Sequence, residues 1–401
     1  MKYRKMGSLP WEVSALGYGC MRLPVSGIIP RVDERKAVEI IRYGIDRGIN
    51  YVDTAWLYHL GQSEKVLGAA LAGGYREKVR LVTKLPMMLV RKTEDFDRYL
   101  DAQLERLRTD HLDLYLFHML NTANFEKLKK LDLLAKMEKA CEEGKIKHIG
   151  FSFHDTLPVF KRIIDYYPWA MTQIQYNYMD TAVQATTEGL QYAHEKGIAV
   201  VIMEPLKGGQ LASPPDEARA IIDSAPVQRT PVDWALQFLW NRPEVACVLS
   251  GMGSRKMVEE NCDSADASGV GGLTAEENGV IDTLAETFRK RIVVPCTSCH
   301  YCMPCPSGVN IPQNFALLNN KSFSRVGNFS TRIVQWMVTR NYRRMAKNRK
   351  QLDAHKENGR ASLCIKCNAC VSKCPQQINI PAELEKVVAV FEKGKKVETL
   401  R

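Results

Sequence analysis

The stretch Tyr51–Tyr58, Y-V-D-T-A-W-L-Y, is a three-residue apolar strand that ends on a carboxylate and opens into a loop carrying a tyrosine. Seven other short runs share its character: Ser14–Gly19, Val79–Lys84, Leu112–His118, Ile146–Ser152, Thr172–Tyr176, Ala199–Met203 and Ala246–Ser250. Between them the apolar period becomes helical. In 94–107, Phe96, Tyr99, Leu100, Leu104 and Leu107 form one stripe; in 125–143, Leu128, Leu131, Leu134 and Met137 form another, with Gly144 at the C-cap position. Nearly continuous apolar strands separated by amphipathic helices imply a parallel sheet covered by helices. Eight repeats within about 290 residues fit a closed (β/α)8 TIM barrel better than an open doubly wound sheet. No G-x-G-x-x-G follows the first strand, which weighs against the open sheet. The first dozen residues read as a hairpin capping the barrel floor.

In such a barrel, chemistry gathers at the C-terminal ends of the strands. Asp53 ends the second strand, Lys84 the third and His118 the fourth, and Tyr58 lies in the loop after the second. Singly, a strand-end Asp serves as a helix cap, a Lys as a solvated rim residue and a His as a satisfied polar group. Four titratable types on three neighbouring strand ends point instead to one site.

The chain has 401 residues, 45% hydrophobic and 25% charged, as in ordinary globular proteins. No apolar run approaches the eighteen or so residues that span a bilayer, and the start M-K-Y-R-K-M-G-S-L-P lacks the apolar core of a signal peptide. The expected location is cytoplasmic, with no membrane association. Of 12 cysteines, Cys20, Cys141, Cys247 and Cys262 are scattered in apolar or helical contexts, as small buried residues are.

The remaining eight lie in two runs, C-T-S-C-H-Y-C-M-P-C-P at 296–306 and C-I-K-C-N-A-C-V-S-K-C-P at 364–375. The second has the C-x2-C-x2-C-x3-C-P spacing of bacterial two-cluster ferredoxins; the first is one residue shorter before its last cysteine. In that arrangement three thiolates of each run hold one [4Fe–4S] cluster and the fourth crosses to the other. The expected ligand sets are Cys296, Cys299, Cys302 and Cys374 for one cluster, and Cys364, Cys367, Cys370 and Cys305 for the other. Zinc would favour two separated pairs of ligands, and disulfides an oxidising compartment. The echo of G-V-N-I-P after the first run in Q-I-N-I-P after the second marks an internal duplication. The chain thus divides into a barrel over residues 1–291 and a small α-rich, ferredoxin-like iron–sulfur domain over 292–401, with a basic helical insert at about 312–360. In the insert, Ile333, Trp336, Met337 and Arg340 through Met345 suggest an amphipathic helix, lying on the barrel or clamping the cluster halves.

The formal net charge is +11, and residues 321–350 hold nine Lys or Arg with no Asp or Glu. Part of this balances the clusters, each carrying about −2 when oxidised with four thiolates. Otherwise the segment is either a solvated basic face or a docking face for an acidic electron carrier such as ferredoxin or flavodoxin. No reading motif for nucleic acid accompanies it.

Y-V-D-T-A-W-L-Y resembles the D-T-A-x-x-Y motif of the aldo-keto reductases, and V-T-K-L and D-L-Y-L-F-H resemble that family's lysine and histidine motifs, in the family's order. With the cysteine-rich tail, the whole chain is similar to a subgroup carrying a C-terminal ferredoxin-like domain with two [4Fe–4S] clusters. The resemblance implies reduction of a small aldehyde or ketone by hydride from NADP(H) or NAD(H). It casts Tyr58 as general acid, Lys84 and Asp53 as its tuning pair, and His118 beside the substrate oxygen. The physics agrees. Hydride delivery leaves an alkoxide that needs a proton, and a free tyrosine, with a pKa of about 10, is a feeble acid at neutral pH. An ammonium beside it stabilises the tyrosinate, Asp53 keeps that ammonium placed, and a histidine N–H stabilises the developing charge.

The same resemblance assigns the nucleotide to the later strand ends. Gly19, Cys20, Met21, Met203, Pro205 and Leu206 line its path, and Ser152 and Gln175 hold the nicotinamide carboxamide. Ser250, Gly251, Met252, Ser254, Arg255, Glu260 and Asn261 grip the adenosine end. The chain departs from the pattern in three places. Phe153 stands where many members have Asn, and Met203 where many have a stacking aromatic. Gly251 and Met257 occupy the basic positions of NADPH-specific members, with Arg255 and Lys256 close enough to substitute. Hydride moves two electrons whereas a [4Fe–4S] cluster passes one, which leaves three roles for the tail. The clusters are structural or sensing; or they serve a flavin or radical-forming substrate in the barrel mouth; or the chain is a non-catalytic electron-transfer subunit whose barrel only binds nucleotide.

Overall fold

Alternation of apolar strands with amphipathic helices produces the arrangement it implies. In the computed structural model, which describes residues 1–26, 31–323, 329–348 and 358–400 (side chains of the helix Phe329–Arg344 from 335 onward), eight parallel strands close into a barrel in chain order. They are β1 (Leu16–Gly19), β2 (Tyr51–Asp53), β3 (Arg80–Leu85), β4 (Leu112–Leu120), β5 (Ile146–Phe153), β6 (Met171–Gln175), β7 (Ala199–Met203) and β8 (Val245–Ser250). The register pairs Gly19 with Asp53, Asp53 with Val82, and Lys84 with Leu116, which brings the polar strand ends to one mouth. The hairpin of Tyr3–Lys5 with Glu12–Ser14 closes the opposite end, where Met6 and Val13 pack with Tyr51, Val82, Ala199 and Cys247.

Strand β4 runs two residues beyond His118, with an irregular register against β5 between Phe117 and Leu120 and a left-handed Met119 (φ 59°). Such a bulge re-aims a side chain at a barrel rim. The stripe expected as one helix over 125–143 is two helices, Thr122–Lys130 and Leu133–Glu142, broken at a left-handed Asp132 (φ 48°). The Leu131 carbonyl at the break accepts the Thr93 hydroxyl at 2.9 Å. The apolar spacing survives the break because each half still buries its own stripe.

By packing, the chain falls into two units. One comprises Met1–Pro205 and Val232–Thr274, the other Leu206–Pro231 and Ala275–Arg401. The second therefore holds the segment after β7 and the helix Ala275–Arg289 as well as the cysteine runs. Within it the helix Asp216–Asp223 lies on Ala275–Arg289, with ion pairs Arg229–Glu277 (2.8 Å) and Arg291–Glu217. Its core joins Val294, Ile311, Phe315, Leu318, Ile380, Leu384 and Val387. The duplicated N-I-P motifs have matching jobs. The Asn310 side chain accepts from the Gln313 amide (3.2 Å) as helix Ile311–Phe323 begins, and the Asn379 side chain accepts from the Ala382 amide (3.4 Å) as Ile380–Phe391 begins.

The basic helix Phe329–Arg344 is present, but its buried face is not the expected one. Val338 and Tyr342, one turn apart, join the core of this unit, and the Tyr342 ring stacks on Phe391 at 4.5 Å. Trp336 and Met337 are 58% and 51% exposed. The side chain of Ile333 lies outside the described residues.

Candidate functional site

Asp53, Lys84 and Tyr58 are joined by hydrogen bonds. The Lys84 ammonium, 1% exposed, donates to Asp53 Oδ1 at 2.6 Å and to the Thr54 carbonyl at 2.9 Å, and reaches the Tyr58 hydroxyl at 3.4 Å. The three acceptors share the ammonium's three N–H groups, which fixes a side chain otherwise free to rotate. Burial pushes the Asp53 carboxyl above the ordinary carboxylate range, and the Lys84 charge pulls it back. The short turn Tyr58–Gly61 holds Tyr58 at the mouth, half-buried, with left-handed His59, Leu60 and Gly61 behind it. His118 is buried with its ring edge-on to Tyr58, centroids 6.1 Å apart. Burial, then the nearby charges of Lys84 and His154, holds its pKa well below the usual value. It is therefore neutral near pH 7 and retains one N–H to donate.

Two supporting layers went unseen in the sequence. Gln173, from β6, donates to Asp53 Oδ2 at 2.6 Å across the barrel interior. The signal was a glutamine at the centre of a strand, M-T-Q-I-Q, that is buried along its whole length. Behind β3, the fully buried Glu64 accepts from Thr83 (2.8 Å), Arg106 (3.1 Å) and Gln103; Gln103 also donates to the Lys84 carbonyl at 3.2 Å.

The residues assigned to a nucleotide are distributed along the same strand ends. Ser152 Oγ accepts from the Met119 amide at 2.8 Å, so its own hydroxyl proton points elsewhere. The Gln175 amide donates to Asp180 (2.8 Å) and accepts from Gln184 (3.1 Å). Asn261 donates to Ser250 at 3.0 Å, uniting two adenosine-side candidates. Ser254 caps the helix Arg255–Asp266. Met203 and Leu206 are half-buried, Pro205 buried. Cys20 and Met252 are wholly buried and present backbone rather than side chain: their carbonyls accept from Ser63 (2.9 Å) and Tyr18 (2.7 Å). Glu260 is engaged by Lys256 at 3.6 Å, and Arg255 lies 4.0 Å over the Tyr43 ring. A Cβ at Gly251 would meet the Arg22 side chain at 3.0 Å, so the missing side chain at 251 leaves room for a cation arriving from the end of β1. Nothing in the order of the sequence announced that approach.

The eight run cysteines form two groups, each drawn from both runs. Cys296, Cys299, Cys302 and Cys374 line one cavity, with Thr297, Phe315 and Ile378. Cys305, Cys364, Cys367 and Cys370 line another, with Ile311 and Leu384. Among the described residues no three His, Cys, Asp or Glu converge as a single ion requires, and none of these eight cysteines is joined in a disulfide. Four thiols ringing an apolar cavity fit a cluster, whereas tetrahedral zinc needs them at about 2.3 Å from one point. Burial raises the thiol pKa of Cys302 to about 12 and of Cys370 to about 11. The four outlying cysteines, Cys20, Cys141, Cys247 and Cys262, are also raised by burial and so are poor nucleophiles. Among the described residues no helix is long and apolar enough to cross a membrane.

Comparison with known proteins covers both parts. The Aldo/keto reductase family profile matches residues 15–286, and a 4Fe-4S dicluster domain matches 295–379. L-galactose dehydrogenase of Arabidopsis thaliana is 25% identical over 72% of this chain and 96% of its own length. A probable aldo-keto reductase 1 of Glycine max is 29% identical over 51% of this chain, and the match spans only 59% of that relative. Among solved structures, the holo form of an aldo-keto reductase from Bacillus halodurans superposes with a TM-score of 0.60 at 28% identity, covering 71% of this chain and 96% of that one. An aldo-keto reductase from Klebsiella pneumoniae in complex with NADPH gives 0.60 at 25%, covering 71% and 95%.

Proposed function

The chain belongs to the aldo/keto reductase family, and from that premise we propose that its barrel, assigned to residues 1–291, reduces a small aldehyde or ketone at Asp53, Tyr58, Lys84 and His118, with NADPH or NADH as hydride donor. The family and its relatives make it an oxidoreductase. The observation that carries the assignment is the Lys84 ammonium held between Asp53 (2.6 Å) and the Tyr58 hydroxyl (3.4 Å). The nicotinamide supplies a hydride; everything else falls to the chain. Tyr58 gives its proton to the oxygen that becomes an alkoxide. Lys84 stabilises the phenolate left behind. The neutral His118 donates to the same oxygen, and burial strengthens each interaction by excluding water. The room above Gly251 and the cations Arg22, Arg255 and Lys256 fit dinucleotide phosphates beside the capped end of Arg255–Asp266.

The tail, 292–401, fits two [4Fe–4S] clusters, one on Cys296, Cys299, Cys302 and Cys374 and one on Cys305, Cys364, Cys367 and Cys370. Such clusters pass single electrons. The exposed face of the basic helix, where Arg340 lies 5.0 Å over Trp336 with Arg343 beside it, suits an acidic carrier. The expected compartment is the cytoplasm, where iron–sulfur thiolates persist reduced.

The decisive experiment is Tyr58→Phe, assayed by NADPH consumption over a panel of aldehydes and ketones. Loss of turnover by about a hundredfold or more, with NADPH binding retained, is expected from removal of a general acid. Unchanged turnover would remove Tyr58 from the mechanism.

A further inference from the structure

Glu64 lies wholly buried on the helix Gln62–Leu71, apart from the four residues assigned to proton transfer. Its helix packs on Asp95–Leu107. Gly68, one turn further along the same helix, lets the two backbones close: a Cβ there would lie 2.5 Å from the Arg106 carbonyl oxygen. At that spacing the Arg106 guanidinium donates to Glu64 Oε2 at 3.1 Å, while Oε1 accepts from the Thr83 hydroxyl at 2.8 Å and from the Gln103 amide. Ion pairing inside a protein adds little stability, because desolvation offsets the attraction, and apolar side chains of similar volume often serve as well. What the pair holds is more telling than what it contributes.

Two arms leave it. The first reaches Lys84 from behind β3. Gln103 donates to the Lys84 carbonyl at 3.2 Å and accepts from the Tyr115 hydroxyl at 2.7 Å, and Thr83 directly precedes Lys84. The second reaches the turn of Tyr58. The Arg106 guanidinium carbon lies 3.4 Å over the Trp56 ring, and the Tyr99 ring stands edge-on to Trp56 at 4.8 Å. Gly61, at the far end of the turn, also abuts the guanidinium: a Cβ there would come within 3.7 Å of it. Within the turn, the Tyr58 amide donates to the Ala55 carbonyl (3.1 Å) and the Leu60 amide to the Leu57 carbonyl (3.2 Å). Such short-range bonds would travel with the turn if it shifted.

We propose that the Glu64–Arg106 pair is a positioning device that sets the separation of the Lys84 ammonium and the Tyr58 hydroxyl, gripping β3 through Thr83 and Gln103 and the Tyr58 turn through Trp56. This rests on Tyr58 as the proton donor. The 3.4 Å contact between them is already long for a hydrogen bond, so a small outward movement of the turn breaks it. The tyrosinate would then face the neutral His118 ring and the Asp53 carboxylate behind Lys84, neither of which stabilises it as an ammonium does. Arginine suits position 106 because its planar fork pairs with a carboxylate at its edge and stacks by its face at once; a lysine ammonium keeps the charge and loses the face.

The test titrates tyrosinate absorbance in the full chain and subtracts the titration of Tyr58→Phe, which isolates Tyr58 without any substrate. It compares the parent with Arg106→Lys and Trp56→Leu, both of which leave Glu64 a cation, and with Trp56→Phe, which keeps an aromatic face. Thermal unfolding of each is recorded alongside. The Tyr58 midpoint should rise by about one pH unit in Arg106→Lys and in Trp56→Leu, the lower end of what a lost neighbouring charge does, and return towards the parent value in Trp56→Phe. Parent midpoints in both variants, with only the unfolding temperature lowered, would make the pair structural and overturn the proposal. A midpoint moved by Trp56→Leu alone would overturn it too, since the tryptophan would then act without the pair. Full carbonyl turnover in Tyr58→Phe would instead overturn the reading on which the proposal rests.

Discussion

Gln173 and Asp53 meet across the inside of the barrel, amide to carboxylate, at 2.6 Å. Lys84 holds the other carboxylate oxygen, so the buried acid has a separate partner for each oxygen. Gln173→Leu would leave Oδ2 unpaired, and an unsatisfied buried acceptor costs about 1–3 kcal/mol. Burial already pushes the Asp53 carboxyl up, with Lys84 and Gln173 opposing it. Removing one opponent pushes it further up. The ionised pair beside Tyr58 would then persist only above a higher pH, so the acid limb of the kcat profile should move towards neutrality. A pH–rate series on Gln173→Leu checks this; an unmoved acid limb would make the glutamine purely structural.

The Lys84–Asp53 pair gives a prediction in which two changes are milder than one. Lys84 and Asp53 are 1% and 2% exposed, so Lys84→Met strands a carboxylate in the interior. Breaking a buried pair in this way costs about 3–5 kcal/mol. Asp53→Asn with Lys84→Met leaves no charge to strand and should recover a large part of that loss in denaturant unfolding, while neither protein turns over carbonyls. A double variant as unstable as the sum of its parts would mean the two side chains do not act as a unit.

What could be read beforehand depended on whether the information was local. Asp53, Lys84 and His118 were legible because strand polarity alone sends them to one mouth, and Tyr58 because its loop is short. The cysteine groups were legible because the spacing encodes the exchange. Gln173 was not, since its role exists only once β6 faces β2 across the barrel. The approach of Arg22 to Gly251 needed closure of β8 on β1. The break at Asp132 was masked by an apolar stripe common to both helices, and the exposure of Trp336 by the habit of counting large apolar side chains as core. Local pattern also suggested a boundary at 291, whereas packing sets Leu206–Pro231 with the tail.

His154 supplies a pH dependence of stability. It is half-buried, its Nδ1 lies 3.2 Å from Gln184 Oε1, and loss of solvent around the ring depresses its pKa from 6.5 to about 4. Because the folded value lies below the unfolded one, the contribution is intact above about pH 6.5. It is lost as the pH falls to about 4, where the unfolded chain takes up the proton first. The gap corresponds to roughly 3 kcal/mol. His118, depressed in the same direction, adds to it. Unfolding free energies measured from pH 7 to 4 should fall steeply for the parent and less so for His154→Gln. Parallel slopes would show that His154 is not held neutral.

The exchange of cysteines between runs yields the sharpest test of the tail. If each run held its own cluster, Cys374→Ala and Cys364→Ala would damage the same site. The cavities group Cys374 with Cys296 and Cys364 with Cys305 instead. A cluster that loses one of four thiolates is expected to be lost or degraded, leaving about four of eight irons. Cys374→Ala combined with Cys296→Ala should therefore lose no more iron than either alone, since both empty one cavity. Cys374→Ala combined with Cys364→Ala, two changes within a single run, should empty both and bring iron close to zero. Iron analysis and reduced-state electron paramagnetic resonance on the three single and two double variants distinguish the patterns. The reverse outcome, with the within-run pair retaining half the iron, would assign one cluster to each run and detach Cys374 from the cavity that Cys296 lines.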